Sequence, residues 1–560
     1  MANYFIFGIG GTGSRVIRSF TMLLAAGVTP FKSSDKIFPI LIDYDTTNGD
    51  TKRTKDIMAE YHSIHKSAYP QGLRDEEKFS GLFFSTPILE MQEVSPACKS
   101  TFAMEFGEES EQTFEQWTAA NQLRYEKERT ADLMNSLYDD SGDDNNAELK
   151  LKMDKGFKGN PNIGSIVFHS LKNTTEFSDF TTLCQKGDKV IIIGSLFGGT
   201  GSSGIPELVQ AIRTNNKTEV KNIDLSVVMV CPYFAFRSKD EKAVRSSIFK
   251  SKTKAALNFY DLSGINKMIN SIYYVGDDRP STFEYSEGGE TQKNATHIVD
   301  LVSALSICHF AERNTTEDNS TKYFKYRIKE EGLEFIDSDE EDENQNGLNF
   351  TNFMESELSR VIYPLASFAL AMRFFHDEVA QGSKIVKELD WYKTLELSKC
   401  FKDGRAVIDD TNNKNKEMKD LCCCCDGWMN FYDLFTIWNE EFKSHSSHGL
   451  FLFNFNREKS LADFIIAGDL KSEKSVFGIK KTEEHLEMET DVAEGTKNVW
   501  TQLKAVSTFS LDSKYKAFML MAVLTGGCRE VFMSDKGRAA ERNRMLTSKS
   551  LKVVTAEATT

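Results

Sequence analysis

The stretch KVIIIGSLFGGTGSSGIPELVQAIR, residues 189–213, decides the fold of this chain. Its first half is apolar enough for a strand that is buried on both faces, and its last ten residues have the period of a helix. The connection contains four glycines, Gly198, Gly199, Gly201 and Gly204, with small hydroxyl residues and no lysine. A tight turn needs only one or two glycines. The extra glycines predict that a ligand comes very close to the backbone.

The same order of strand and helix extends through the first 310 residues. Short apolar runs alternate with amphipathic stretches, and the runs that predict strands are NYFIFGIG, KIFPILIDYD, KVIIIGSLF, IDLSVVMVCP and NSIYYVG. Strands that are apolar on both faces and alternate with helices are typical of a doubly wound parallel sheet. We therefore predict an α/β fold with an N-terminal Rossmann-like parallel-sheet domain.

Another glycine loop follows the first predicted strand. Gly8, Gly10 and Gly13 fit the pattern G-x-G-x-x-G, in which backbone amides and a helix N-terminus hold a pyrophosphate. This loop alone fits an NAD site equally well, and acidic residues do follow the second strand, at Asp43 and Asp45. The presence of two such loops, neither with the lysine of a Walker A motif, favours a nucleotide triphosphate held between them by main-chain amides.

These loops carry a resemblance to a known family. GGTGSSG resembles the GGGTGSG signature loop of the tubulin/FtsZ superfamily, and Pro206 lies where that family has a proline just inside the next helix. FGIGGTGSR, LIDYDTTN, KGFKGNPNIG and VCPYFAFRSKDEK resemble the other nucleotide loops of the family, in the family's order. Because a long stretch separates the second and third loops, the chain looks like a divergent bacterial tubulin-like protein rather than a true tubulin or FtsZ.

The resemblance implies a site for GTP or GDP with Mg²⁺. The residues that it assigns to nucleotide binding are Gly10, Gly11, Thr12, Gly13, Asp43, Asp45, Gly159, Asn160, Gly198, Gly199, Thr200, Gly201, Ser202, Pro232, Phe234 and Asn294. Asp45 is also the candidate metal ligand. Either Asn294 or Asp300 would reach the guanine, although a solvated asparagine at a helix start explains Asn294 equally well.

The resemblance further implies GTP hydrolysis at a subunit junction, where a loop of one subunit polarises the water that attacks the GTP of the next. The nearest match to that loop is NGLNFTNFMESE, residues 346–357, in which Asn349, Asn352 and Glu355 are the candidates acting in trans. An amide cannot serve as a general base. Whether GTP is hydrolysed stays open, and the same segment also fits a plain turn into a helix.

The predicted domains follow from these motifs. Residues 1–310 form the nucleotide-binding domain, with an insertion at about 51–150 and a central helix at about 294–312. Residues 311–357 form an acidic connector that carries the loop described above. Residues 358–560 form a second, divergent C-terminal domain of α+β character.

Composition narrows the class of protein. The net charge of −15 weighs against a general affinity for nucleic acid, and no apolar run is long enough to span a bilayer. Six of the ten cysteines are scattered singly, and the other four, Cys422–Cys425, are consecutive. Adjacent side chains cannot all converge on one metal ion, and although Cys422 and Cys425 have the C-x2-C spacing, no second pair with suitable spacing is evident. We expect free thiols in a reducing, cytoplasmic compartment.

The function that the resemblance implies is that of a prokaryotic, GTP-binding protein of the cytoskeletal type. A nucleotide trapped between subunits makes a head-to-tail contact that propagates as an open filament, so the main partner would be the chain itself. One alternative is a nucleotide-gated scaffold that does not polymerise and recruits unidentified proteins through the insertion and the C-terminal domain. A less favoured alternative is an NAD-dependent enzyme, since no convincing catalytic His or Lys constellation occurs in the second half.

Overall fold

The fold is given by a computed structural model. It describes residues 2–28, 30–32, 34–45, 47–70, 81–98, 102–105, 113–118, 157, 160–237, 248–277, 281–284, 289–313, 320–329, 332–337, 359–407, 415–442 and 515–533. Gly159 and the three candidates of the hydrolysis loop, Asn349, Asn352 and Glu355, lie outside these residues.

Twelve strands lie in the described part of the chain. They are β1 (Asn3–Ile9), β2 (Lys36–Asp43), β3 (Ala103–Glu105), β4 (Lys189–Ser195), β5 (Asp224–Val230), β6 (Phe234–Arg237), β7 (Ser271–Val275), β8 (Ser281–Glu284), β9 (Lys322–Lys329), β10 (Gly332–Asp337), β11 (Phe401–Lys402) and β12 (Arg405–Ala406). Eight of them form one sheet in the order β3-β2-β1-β4-β5-β7-β9-β10, and β6–β8 and β11–β12 form separate pairs. Seven strands of the large sheet are parallel, and β10 runs antiparallel to β9. The predicted α/β fold with a parallel sheet is confirmed.

Helices connect the strands and continue after the sheet. The α-helices of the described residues are α1 (Gly10–Ala25), α2 (Gly49–Ala68), α3 (Met91–Val94), α4 (Phe114–Trp117), α5 (Pro161–Phe168), α6 (Thr175–Leu183), α7 (Gly199–Arg213), α8 (Thr218–Lys221), α9 (Phe249–Leu262), α10 (Ile298–Glu312), α11 (Ser359–Phe374), α12 (Lys384–Glu388), α13 (Asp390–Thr394), α14 (Lys416–Glu441) and α15 (Lys516–Met533). A π-helical turn, Phe375–Val379, extends α11.

The sheet separates two hydrophobic cores. Ile191 and Ile193 of β4 lie in one core, whereas Val190 and Ile192 lie in the other, and all four are at most 1% exposed. Alternate side chains of a strand point to opposite faces of its sheet. A strand that is apolar at every position therefore requires cover on both faces, which the helices provide.

The described C-terminal helices share a core with the N-terminal elements. Phe368 of α11 and Phe431 of α14 pack on Phe84, with ring centroids 5.4 and 5.0 Å away. Phe84 is fully buried and has a left-handed backbone, with φ of 56°. That conformation is strained for an aromatic residue, and the surrounding aromatic packing holds it.

Helix α2 lies within the stretch that the sequence assigns to an insertion. It packs against α1 and α14, and its residues Ile57, Met58, Tyr61 and Ile64 are at most 3% exposed. Residues 51–68 are therefore part of the main core rather than of a surface segment.

The predicted central helix, α10, begins at Ile298 rather than at about 294. His297 caps it, because its Nδ1 accepts a hydrogen bond from the Val299 amide at 3.1 Å, while the Asp300 carboxylate accepts one from the His297 amide at 2.9 Å. This reciprocal cap ends the preceding extended segment at His297. Asn294 therefore precedes the helix.

Candidate functional site

The two glycine loops lie side by side at the carboxyl edge of the sheet. Strands β1 and β4 pair directly, with Gly8 opposite Ile193. The chain leaves β1 towards β2 on one side and β4 towards β5 on the other, so the strand order reverses between them. Open α/β sheets bind ligands in the crevice at such a switch point.

Both loops contain the same pentapeptide, GGTGS, at residues 10–14 and 198–202. The two copies enter their helices one position apart. Gly10 is the first residue of α1, whereas Gly198 is the N-cap of α7. Gly10 has φ of +69°, and Gly198 has φ of −88°. The same five residues therefore have different backbone roles at the two sites.

The fourth residue of each pentapeptide lies close against the preceding strand. A Cβ atom added to Gly13 would lie 2.5 Å from the Gly8 carbonyl carbon, and one added to Gly201 would lie 2.6 Å from the Ser195 nitrogen. Real Cβ atoms do not approach so closely. These two glycines are needed for close packing between helix and strand, the role of the third glycine in the dinucleotide fingerprint.

The side chain of Thr200 contacts the first loop. A Cβ atom added to Gly10 would lie 3.2 Å from the Cβ atom of Thr200, so the two loops are close neighbours at this point. A Cβ added to Gly11 would be in ordinary van der Waals contact with the side chains of Asp50, Arg15 and Gln292, at 3.4 to 3.6 Å. A methyl group at Gly11 therefore fits among polar side chains without a clash.

Neither helix start has a side-chain cap. The N-cap residues, Ile9 and Gly198, make no side-chain hydrogen bond to the first turn of α1 or α7. The first amides of a helix have no partner within the helix, and they carry the positive end of its dipole. Two uncapped helix starts beside each other therefore form a surface suited to an anion such as a phosphate.

The serine hydroxyls of the second loop are used within α7. The Ser202 hydroxyl donates to the Gly198 carbonyl oxygen, and the Ser203 hydroxyl donates to the Gly199 carbonyl oxygen at 2.6 Å. In the first loop, the Ser14 hydroxyl instead lies 3.1 Å from the Thr51 hydroxyl of α2. Ser202 thus lies at the edge, as the sequence predicts, but its proton points into its own helix.

A buried arginine lies below the first loop. Arg15 is 1% exposed and donates to Asp50 at 2.8 Å, to Tyr233 at 2.7 Å and to Thr12 at 3.1 Å. Its Nε lies 3.4 Å from the carboxylate of Asp300. Burial raises the pKa of Asp300, and the charge of Arg15 opposes that rise.

The two candidates for guanine binding, Asp300 and Asn294, both make hydrogen bonds within the protein. The carboxylate of Asp300 accepts hydrogen bonds from Tyr233 and from the His297 amide, besides its ion pair with Arg15. Asn294 is 9% exposed, and its backbone carbonyl oxygen accepts a hydrogen bond from the Arg53 guanidinium at 2.8 Å. The structure brings both residues to the region beside the first loop, on the side of α2.

Asp43, the last residue of β2, and Asp45, two residues later, have different environments. Burial and the neighbouring Asp45 charge raise the pKa of Asp43 to about 8, so Asp43 is largely protonated at neutral pH. Asp45 accepts hydrogen bonds from Thr47 at 2.8 Å and from the Gly289 amide at 2.7 Å. Because Oδ1 of Asp45 also accepts from the Thr47 amide at 3.1 Å, only Oδ2 retains a lone pair that could bind a single cation.

The remaining candidates lie at the same edge or directly beneath it. Asn160 is the N-cap of α5, and a Cβ on Gly164, one turn later, would lie 2.2 Å from the Ser203 hydroxyl of α7. Phe234 is 7% exposed and packs on Phe197 of the second loop, with ring centroids 5.3 Å apart. Phe234 therefore supports the loop from below. Pro232 precedes it, partly exposed.

The sequence analysis missed a buried ionic network that connects this edge to the C-terminal half. Glu441 at the end of α14 pairs with Arg18 at 2.8 Å and with Arg53, and Arg53 pairs with Asp50 at 2.6 Å. Asp50 in turn pairs with Arg15. The only sequence signal was the occurrence of Arg15 and Arg18 within an otherwise apolar helix.

Comparison with known proteins does not identify a family or a function for this chain. No protein-family model, curated protein or solved structure matches the chain. Within the described ranges, no cluster of three or more His, Cys, Asp or Glu side chains is arranged to hold a metal ion. None of the described helices has both the length and the apolar composition needed to cross a membrane.

Proposed function

We propose that the edge between β1 and β4 binds a guanine nucleotide, and that the protein assembles head-to-tail into cytoskeletal-type filaments with GTP held between subunits. The observation that carries the proposal is the pair of adjacent, uncapped helix starts at Gly10 and Gly199. Two converging helix dipoles and their amides suit the several negative charges of a triphosphate better than a single helix start does.

The surrounding residues fit the nucleotide and its Mg²⁺. Gly11 lies in the first turn of α1 and has no side chain to keep a phosphate away from the backbone amides there. Asp45 would hold Mg²⁺, an ion that proteins commonly bind through one or two carboxylates together with the phosphates of the nucleotide. Bound Mg²⁺ neutralises charge that develops on the phosphates during transfer. The chain's own contribution is to position the phosphates through backbone amides.

Calorimetry tests nucleotide binding directly. We expect the full chain to bind GTP in the presence of Mg²⁺, and to bind ATP and NAD more weakly. Gly11→Ala should lower the affinity for GTP about tenfold, because the added methyl group fits without displacing any protein atom and would crowd a phosphate bound at the first turn of α1. Gly526→Ala is the matched control, since its added Cβ meets nothing within 4 Å and it lies on α15.

Three results would overturn the nucleotide assignment. One is the absence of GTP binding by folded protein, another is tighter binding of NAD, and the third is an unchanged GTP affinity in Gly11→Ala. If GTP binding holds, sedimentation and electron microscopy with GTP and a non-hydrolysable analogue test assembly. Filaments support the proposal, whereas discrete complexes favour the nucleotide-gated scaffold.

Phosphate release measured on the same samples decides whether GTP is hydrolysed. Asn349, Asn352 and Glu355 remain the candidates for hydrolysis in trans. Glu355→Gln should slow release without changing GTP affinity if that glutamate takes part.

One observation favours a second candidate, a dinucleotide-binding enzyme. The strand order β3-β2-β1-β4-β5 and the close packing of Gly13 on Gly8 are also those of a dinucleotide-binding fold. The raised pKa of Asp43 argues against it, because an ionised carboxylate would be needed for the ribose. The NAD titration described above separates the two candidates.

A further inference from the structure

Three thiols meet in the C-terminal half of the protein. The sulfur atoms of Cys400 and Cys422 are 2.8 Å apart, and the Cys425 thiol lies close enough to Cys400 to raise the pKa of the Cys400 thiol. All three side chains are at most 2% exposed. Cys400 comes from the turn before β11, and the other two come from α14, so the cluster joins segments that are distant in sequence.

The local fold holds this arrangement. Cys422 and Cys425 are three residues apart on α14 and therefore share one face of the helix. The β11–β12 hairpin packs on α14, and the Val407 amide donates to the Cys400 carbonyl oxygen at 2.8 Å. The backbone positions of the thiols are thus determined by regular structure on both sides.

We propose that Cys400 and Cys422 are a redox-active pair that oxidises to an intramolecular disulfide, with Cys425 as an alternative partner for Cys400. The distance between the two sulfur atoms exceeds an S–S bond length by only about 0.8 Å. Metal coordination is not the favoured chemistry, because the described residues contain no cluster of three ligands arranged for a metal ion.

A peroxide is a sufficient oxidant. One thiol sulfur attacks the peroxide, the O–O bond breaks, and a sulfenic acid forms as one molecule of water or alcohol leaves. The second sulfur attacks the sulfenic sulfur, the S–S bond forms, and a second molecule of water leaves. In sum the two thiols lose two electrons and two protons, and the peroxide is reduced.

The folded protein slows this reaction. The hydrogen bond with Cys400 and burial raise the pKa of the Cys422 thiol, and burial raises the pKa of the Cys425 thiol. Thiolates are the reactive species, so little of the reactive form exists at neutral pH. We expect oxidation to become faster as the pH rises, and its product to tie the β11–β12 hairpin to α14.

The experiment counts free thiols in the full chain before and after treatment with hydrogen peroxide. The protein is alkylated after unfolding, and cross-linked peptides are mapped by mass spectrometry without reduction. The wild type should fall from ten free thiols to eight, with a Cys400–Cys422 cross-link that dithiothreitol reverses. If all ten remain free, or if the cross-link joins any pair other than Cys400 with Cys422 or Cys400 with Cys425, the proposal is wrong.

Alanine variants sharpen the result. Cys400→Ala should retain all nine of its thiols, whereas Cys423→Ala, the control, should fall from nine to seven. Cys423 is adjacent in sequence but lies on a different face of α14, and it is only half-buried.

The variant Cys422→Ala tests the role of Cys425. Its count of free thiols should fall from nine to seven through a Cys400–Cys425 cross-link. Loss of two thiols from Cys400→Ala would overturn the pairing, and an unreactive Cys422→Ala would overturn the role of Cys425. The wild-type map decides the main point even if a variant does not fold.

Discussion

The two copies of GGTGS begin two neighbouring helices, yet different forces support them. The first copy has a glycine at positive φ, Gly10, and a buried ion pair between Arg15 and Asp50 directly beneath it. In both copies the fourth glycine packs on the preceding strand, as Gly201 does on Ser195. An identical peptide can thus share close packing at two places while a buried ion pair and a positive φ support it at only one of them. The surrounding elements, and not the peptide, decide where these further interactions occur.

The largest expected effect tests the charge beneath the first copy. Arg15→Met should lower the free energy of unfolding by about 3–5 kcal/mol, because it leaves the buried carboxylates of Asp50 and Asp300 without this partner. Denaturant titration measures the change. Adding Asp300→Asn to Arg15→Met should restore part of the loss; if the single variant is as stable as the wild type, charge does not support this loop.

The next largest loss of stability should be equal at the two copies of GGTGS. Gly13→Ala and Gly201→Ala each place a Cβ within 2.6 Å of strand backbone. Backbone cannot move aside cheaply, so each variant should lose about 1–3 kcal/mol of stability. Thermal unfolding of both, with Gly526→Ala as the control, checks this. A large difference between the two would contradict the shared packing role.

A smaller effect should distinguish the copies. Gly10→Ala should cost about 1–2 kcal/mol, because Gly10 has φ of +69°, a conformation that L-residues disfavour. Gly198→Ala should cost less, since its φ is −88° and the nearest atom is the movable Ser195 hydroxyl at 2.8 Å. Urea unfolding of the two variants measures the difference. Equal costs would show that the backbone conformations are alike after all.

The last expectation concerns pH, and its effect is stated per pH unit rather than per substitution. The pKa of Asp43 is about 8 in the folded protein against 3.8 in the unfolded chain. The folded state therefore retains a proton that the unfolded state loses between about pH 4 and pH 8, and stability falls across that range by at most about 1.4 kcal/mol per pH unit. Asp43→Asn should flatten this dependence in unfolding titrations. If the slope persists in that variant, another group is responsible.

Much of the fold could be predicted because the strands and the glycine loops are each indicated by a pattern of neighbouring residues. The apolar runs at β1, β2, β4, β5 and β7 are each long and bounded by polar or glycine-rich segments, and all five are strands. The glycine loops were found for the same reason, since several glycines in a strand-to-helix connection are rare without a purpose. The start of α10 was misplaced by a few residues because a histidine cap is a weak signal.

The ionic network and the thiol cluster could not be predicted. Glu441 lies almost four hundred residues from Arg53, with which it pairs, and no periodicity connects them. Cys400 is a lone cysteine in the sequence, and only the docking of β11–β12 on α14 brings it to Cys422. The core role of residues 51–68 was missed because α2 has many polar residues and buries only one narrow face.

The sequence by itself determined the parallel sheet and the glycine-rich starts of α1 and α7, because hydrophobic period and backbone freedom are properties of neighbouring residues. The sequence also led us to expect the two glycine loops on either side of one nucleotide. Only the tertiary structure decided that Arg15 is buried among carboxylates and that three cysteines meet. Those features depend on contacts between segments that are far apart in the chain. Their free energies come from burial and charge pairing that exist only once the segments have packed together.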